Sequence, residues 1–188
     1  MGALRIAVSG KSGCGNTTVS RLLAQRLGVR LINYTFHTMA EEQGVSFDQM
    51  CRMAESDDSW DRYLDRKQVE RAMEGSCVLG SRLAIWVLHA ADIKVYLTAS
   101  PETRAKRIQT REGGSLEEVR AATDQRDQRD RARYLRIYGI DIDAYGFADM
   151  IIDTERWQPP EIVERIVAEV ARRAPAELPQ NNSDQPLL

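Results

Sequence analysis

The sequence predicts an α/β fold, a five-stranded parallel sheet with helices on both faces, and three observations predict it. Short apolar runs recur at residues 4–9, 29–33, 77–80, 93–98 and 150–153; runs of this length and continuity read as strands buried on both faces. A segment of helical periodicity separates each run from the next, and such alternation gives parallel strands joined by crossovers. The first run leads through a glycine-rich turn straight into an amphipathic helix. At 188 residues the chain can bury one full core, so residues 1–173 are expected as a single domain. From residue 174 onward, Ala-Pro-Ala-Glu-Leu-Pro-Gln-Asn-Asn-Ser-Asp-Gln-Pro has no periodicity and reads as a disordered tail.

Helices are expected at 17–27, 35–43, 47–55, 60–73, 82–89, 102–111, 116–138 and 160–173. Several announce their starts. Ser46 with Gln49 and Ser115 with Glu118 fit the S-x-x-[EQ] capping box, in which each side chain satisfies the other's backbone donor. Ser100-Pro101 sets an N-cap before a proline at the first helical position, where a missing N–H is harmless. Gly113-Gly114 separates two helices and reads as a hinge. No internal repeat is present.

The richest motif is Gly10-Lys11-Ser12-Gly13-Cys14-Gly15-Asn16-Thr17-Thr18. It matches the phosphate-binding pattern G-x-x-x-x-G-K-[ST] at both glycines and at the hydroxyl, with Asn16 in place of the lysine. Glycines allow close backbone approach, so successive N–H groups can converge on phosphate oxygens, helped by the N-terminus of the following helix. Thr17 is the expected ligand of Mg²⁺. Asn16 can donate a hydrogen bond but carries no charge. Lys11, at the second position of the motif, is the candidate replacement cation, or else a solvated loop lysine.

Composition narrows the partners. With 43% hydrophobic and 29% charged residues the chain is ordinary for a globular protein, and no apolar run approaches the ~20 residues of a membrane span. No basic, apolar leader opens the chain, so a cytoplasmic location without membrane association is expected. A net charge of −2 argues against nucleic-acid binding through a basic surface. Cys14, Cys51 and Cys77 have neither zinc nor disulfide spacing and read as reduced thiols. Among 26 cations 22 are arginine, and nine of these lie between Arg104 and Arg136. Guanidinium forks match phosphate in a bidentate way that ammonium does not, which points to a polyphosphate clamp.

Three groups of residues fit that clamp. Arg82 follows the third apolar run, at the carboxyl end of a strand, where open α/β sheets bind ligands. Arg126, Asp130 and Arg133 share one face of the long helix at i, i+4 and i+7. They can hold a phosphate and a sugar or amine, or form an internal salt-bridge ladder of small value. Arg104, Arg107 and Arg111 run toward the glycine pair as a mobile arginine lid would.

With these residues in view, the chain resembles the archaeal-type cytidylate kinases, within the nucleoside monophosphate kinases, over about residues 4–170. The carrying segments are the loop at 10–18, Ser81-Arg82-Leu83-Ala84-Ile85-Trp86, the run from Val95 to Ile108, and Arg133-Tyr134-Leu135-Arg136-Ile137-Tyr138-Gly139-Ile140-Asp141-Ile142-Asp143. The resemblance implies a P-loop NTPase fold with nucleotide-binding helices and a short arginine-rich lid at about 104–126. It implies γ-phosphoryl transfer from ATP, with Mg²⁺, to CMP or dCMP, by a monomer or homodimer. It implies acceptor contacts from Arg82, Arg126, Asp130 and Arg133, with His37 at the position of a further acceptor-phosphate contact, donor contacts from the loop, Arg107 and Arg111, and charge stabilisation by Arg107, Arg126 and Arg133, to which Lys11 is added as the candidate replacement cation. Three positions depart from the family pattern: Asn16 where lysine is usual, Gly80 where an acid usually precedes Ser-Arg, and His37 where arginine is usual. A nucleotide-binding protein without turnover, or a small-metabolite kinase on the same scaffold, are the alternative readings.

Overall fold

The computed structural model describes residues 2–173, so the tail expected from 174 onward lies outside the described residues. Five strands, β1 (Arg5–Gly10), β2 (Arg30–Ile32), β3 (Cys77–Gly80), β4 (Ile93–Thr98) and β5 (Met150–Asp153), form one sheet in the order β2-β3-β1-β4-β5. Every pairing is parallel, with Ala7 opposite Leu79 on one side and Lys94 on the other. Eight helices join them: α1 (Asn16–Leu27), α2 (Phe36–Gln43), α3 (Phe47–Ser56), α4 (Ser59–Met73), α5 (Ala84–Val87), α6 (Pro101–Glu112), α7 (Leu116–Tyr138) and α8 (Pro159–Arg173).

The central strand shows why both faces are covered. Ile6 and Val8 join a core with Val19 and Leu23 of α1 and with Ile162, Ile166 and Val170 of α8. Ala7, between them in sequence, points the other way, into a second core with Ala72 of α4, Ala84 and Ile85 of α5, and Tyr96. Full burial of residues of the size of Ile, Val or Leu contributes about 1.5–3 kcal/mol each, which locks the register of β1. A smaller satellite core of Tyr34, Met39, Ala40 and Met50 holds α2 and α3 as an outlying lobe beyond β2.

Both expected capping boxes form, Ser46 with Gln49 and Ser115 with Glu118. Ser100 accepts from the Thr103 N–H ahead of Pro101. One element differs clearly from expectation: α5 spans four residues, not 82–89. Its missing first turn is drawn off the helix because Arg82 is held by Ser12 and Asp130, while the Ser81 N–H donates to the Val8 carbonyl. No helix among the described residues is long and apolar enough to cross a membrane.

Candidate active site

A cleft of about 1040 Å³ runs along the carboxyl ends of β1, β2, β3 and β5. Its floor is the β1–α1 loop. Gly13 has φ +82, and a Cβ there would sit 2.8 Å from the Arg104 carbonyl oxygen. Gly15, at φ +89, meets nothing within 4 Å, so its bare face is open to an approaching anion. The loop thus needs glycine at one position for packing and at the next for conformation. Thr17 and Thr18 lie exposed in the first turn of α1, in a position to meet phosphate or its counter-ion.

Asn16, which occupies the lysine position of the motif, faces inward. Its Nδ2 donates to the carbonyls of Val8 (3.1 Å) and Ser81 (3.3 Å), tying β1 to the residue after β3, while its Oδ1 accepts from Ser20 Oγ at 2.9 Å. Gly80 belongs to the same unit. A Cβ on Gly80 would lie 2.5 Å from Ser20 Oγ and 2.8 Å from Ser20 Cβ. Two of the three departures from the family pattern are therefore one packing solution. His37 is separate: it is exposed, stacks on Phe47 with ring centroids 3.7 Å apart, and does not line the cleft. Lys11 lines the cleft, but its Nζ is 2.6 Å from Asp143 Oδ1 in the segment after α7.

The arginines divide into frame and cleft. Arg104, only 4% exposed, donates to the Ser12 carbonyl and pairs with Asp127 at 2.7 Å, and so braces the loop. Arg107 also reaches backbone, donating to the carbonyls of Gly13 and Thr154 and to Thr154 Oγ1 at 2.8 Å. Arg111, exposed, pairs with its neighbour Glu112. Arg82 donates to Ser12 Oγ at 2.5 Å and pairs with Asp130, and burial pulls its pKa below the ordinary value. Arg133 pairs with Asp61 of α4. The internal ladder, one of the two readings of this face of α7, does not form: Asp130 and Arg133 pair with other elements. Arg126 lines the cleft with no ion-pair or hydrogen-bond partner among the described residues.

Two walls of the cleft were not legible in the sequence. One is the turn from β5 into α8, where Thr154, Glu155, Trp157, Gln158 and Pro159 face the loop from the far side. The rule that ligands lie beyond the carboxyl ends of strands is the signal that reaches it. The other is α4, whose buried face is polar: Asp61, Asp65 and Gln68, at i, i+4 and i+7. Asp65 accepts from Tyr138 OH at 2.6 Å, and burial pushes its carboxyl up to about 6. Gln68 Nε2 donates to the Tyr34 carbonyl at 2.8 Å. A second groove of about 620 Å³, lined by Arg62, Arg66, Val69, Met73, Val87 and Tyr138, lies apart from the glycine loop.

The cleft's chemistry is that of polyphosphate handling: a backbone cradle, a helix N-terminus and converging guanidinium groups. Comparison with known proteins agrees. Residues 5–156 match the family described as "Cytidylate kinase-like family". The chain is 45% identical over 174 residues to a "Cytidylate kinase 2" of Borreliella afzelii, covering 90% of this chain and 98% of that protein. It is 38% identical over 169 residues to a "Cytidylate kinase" of Pyrococcus horikoshii, covering 89% and 88%. Among solved structures it is similar to a shikimate kinase from Bacteroides thetaiotaomicron, with a TM-score of 0.59 at 18% identity over 89% of this chain and 98% of that one. An uncharacterized protein from Eubacterium ventriosum gives a TM-score of 0.67 at 17% identity over 90% and 99%. The likeness to solved structures carries the P-loop kinase fold, and the match over most of the chain places the protein in the cytidylate kinase-like family, among the nucleotide kinases.

Proposed function

We propose that the protein transfers the γ-phosphoryl group of ATP, as its magnesium complex, to CMP or dCMP, giving CDP or dCDP. The observation that carries this is the single cleft joining three parts: the glycine loop, a rim beyond β5 that includes Trp157, and a wall of α4 and α7. The cradle fits a polyphosphate, since Gly15 leaves its outer face open and the N–H groups opening α1 have no helical partners. Among the described residues there is no cluster of three metal-ligating side chains, so Thr17 is the one side chain assigned to a metal held otherwise by the nucleotide's own phosphates. When bound, that ion neutralises charge on the transferring group.

The chain's own residues then position and neutralise. No side-chain nucleophile is required, because an acceptor phosphate oxygen attacks in line. Arg126 is the cation open to the acceptor phosphate, and Arg82, held between Ser12 and Asp130, stands between loop and acceptor wall. Lys11 and Arg111 lie at the mouth, where release from Asp143 and Glu112 makes them available to bound nucleotide.

A coupled assay of ADP release against each nucleoside monophosphate tests the proposal. CMP and dCMP are expected to turn over best, and Arg126→Ala is expected to lower kcat/KM for the acceptor by about 10- to 100-fold, the range for a lost charged hydrogen bond, with unchanged thermal stability. Nucleotide binding with no turnover on any acceptor overturns it in favour of the second reading, a binding protein without catalysis. What favours that reading is the loop, where the amide of Asn16 replaces a phosphate-facing cation and faces the protein interior.

A further inference from the structure

The polar face of α4 leaves one group unanswered. Asp61 is paired with Arg133, and Asp65 with Tyr138. Gln68, 4% exposed, gives its Nε2 to the Tyr34 carbonyl, and its Oε1 has no partner among the described residues. The assignment of the amide is forced, because a backbone carbonyl accepts and the NH₂ must face it; the oxygen is therefore the free end. A buried acceptor without a donor is destabilising by the desolvation it has suffered, and a ligand that brings an N–H recovers this. Gln68 lines the same cleft as Arg133, Tyr34 and the exposed Phe47.

Resting on the acceptor reading above, we infer that Gln68 is a specificity-determining residue, whose Oε1 accepts from the 4-amino group of the acceptor base and so selects cytosine over uracil. The two pyrimidines differ at that edge: cytosine presents an NH₂ donor and uracil a carbonyl oxygen. Uracil would set acceptor against acceptor and leave both desolvated. Arg133, on the same cleft wall, bonds Asp61 through Nε and Nη2 and keeps Nη1 as a donor for the ring nitrogen or O2 of the same base. Sites built to bond a substrate N–H or OH reject analogues that lack it far more strongly than apolar pockets reject a missing methylene.

The test measures kcat/KM for CMP, for UMP and for the CMP analogue with hydrogen in place of the 4-amino group, on wild type, Gln68→Met and Gln68→Glu. Wild type is expected to favour CMP over the analogue by at least about 10-fold, the scale of one buried hydrogen bond. In Gln68→Met that ratio is expected to collapse to within about 3-fold; in Gln68→Glu, whose buried carboxyl in its protonated form gives the O–H to the Tyr34 carbonyl and keeps an acceptor oxygen, it is expected to persist. Wild type that uses CMP and the analogue equally, or an undiminished ratio in Gln68→Met, overturns the inference. If Gln68→Met does not fold, loss of the ratio in folded Gln68→Glu does the same. Wild type inactive on every pyrimidine monophosphate overturns instead the acceptor reading beneath it.

Discussion

A single missing methyl group organises the loop. Gly80 has no side chain because Ser20 fills the space in which one would stand, and Ser20 is placed there by its bond to Asn16. Gly80→Ala is expected to destabilise the fold by about 1–3 kcal/mol, as overpacking does, with Ser20→Gly recovering part of the loss even though glycine inside a helix costs about 1 kcal/mol. Chemical denaturation of both single variants and the double variant reads the coupling; strictly additive effects would show that the two residues do not share this space. Arg126 is the contrasting case, since it stabilises nothing in the described structure and its removal should register only in catalysis.

Helix α7 does the most at the scale of elements. Its 23 residues carry Arg126, Asp130 and Arg133 along one side of the cleft and meet α6 at Gly113-Gly114, with φ of +82 and +89. We expect this α6–α7 corner to move as a lid, with hydrogen exchange across residues 109–118 slowing by about 10-fold or more when a bisubstrate analogue saturates the site. Identical exchange with and without the analogue would leave the corner a static turn. Arg104 and Arg107 bound that motion, because both are fastened to the loop, Arg104 also to Asp127 of α7 and Arg107 to Thr154 just beyond β5.

The elements were largely legible because buried parallel strands write themselves as apolar runs: β3, β4 and β5 begin and end where those runs do. Edge strand β2 is shorter than its run, as pairing on one side only extends over Arg30–Ile32. The glycine loop was equally plain, since local spacing defines it. Partner choice was not. That Arg82 meets Asp130, Arg133 meets Asp61 and Lys11 meets Asp143 depends on packing of elements distant in sequence, which no local pattern encodes. Asp61, Asp65 and Gln68 did repeat at helical spacing, but such a stripe ordinarily faces water, and only the position of α4 turns it inward.

For the molecule as a whole, Asp65 sets a pH dependence of stability. Its carboxyl, 8% exposed, rises from 3.8 to about 6, chiefly through burial and further through Asp61, against the pull of Tyr138 and Arg133. Between those values the folded chain keeps a proton that the unfolded chain has released, so stability falls as pH rises through the window and the loss is complete above the folded value. Two units correspond to roughly 3 kcal/mol. Asp65→Asn retains an oxygen for Tyr138 OH without the charge, and is expected to gain on wild type from about pH 4 to 7 and hold that gain above. Unfolding free energies that differ by a constant across the range would remove Asp65 as the cause.

The interlock of Asn16, Ser20 and Gly80 also constrains how such a sequence can change over time. Lysine at position 16 alone would remove the amide that joins Val8 to Ser81, and an acid at position 80 alone would strike Ser20. Each change made alone loses a contact or meets a clash inside the unit, so positions 16, 20 and 80 are expected to change together.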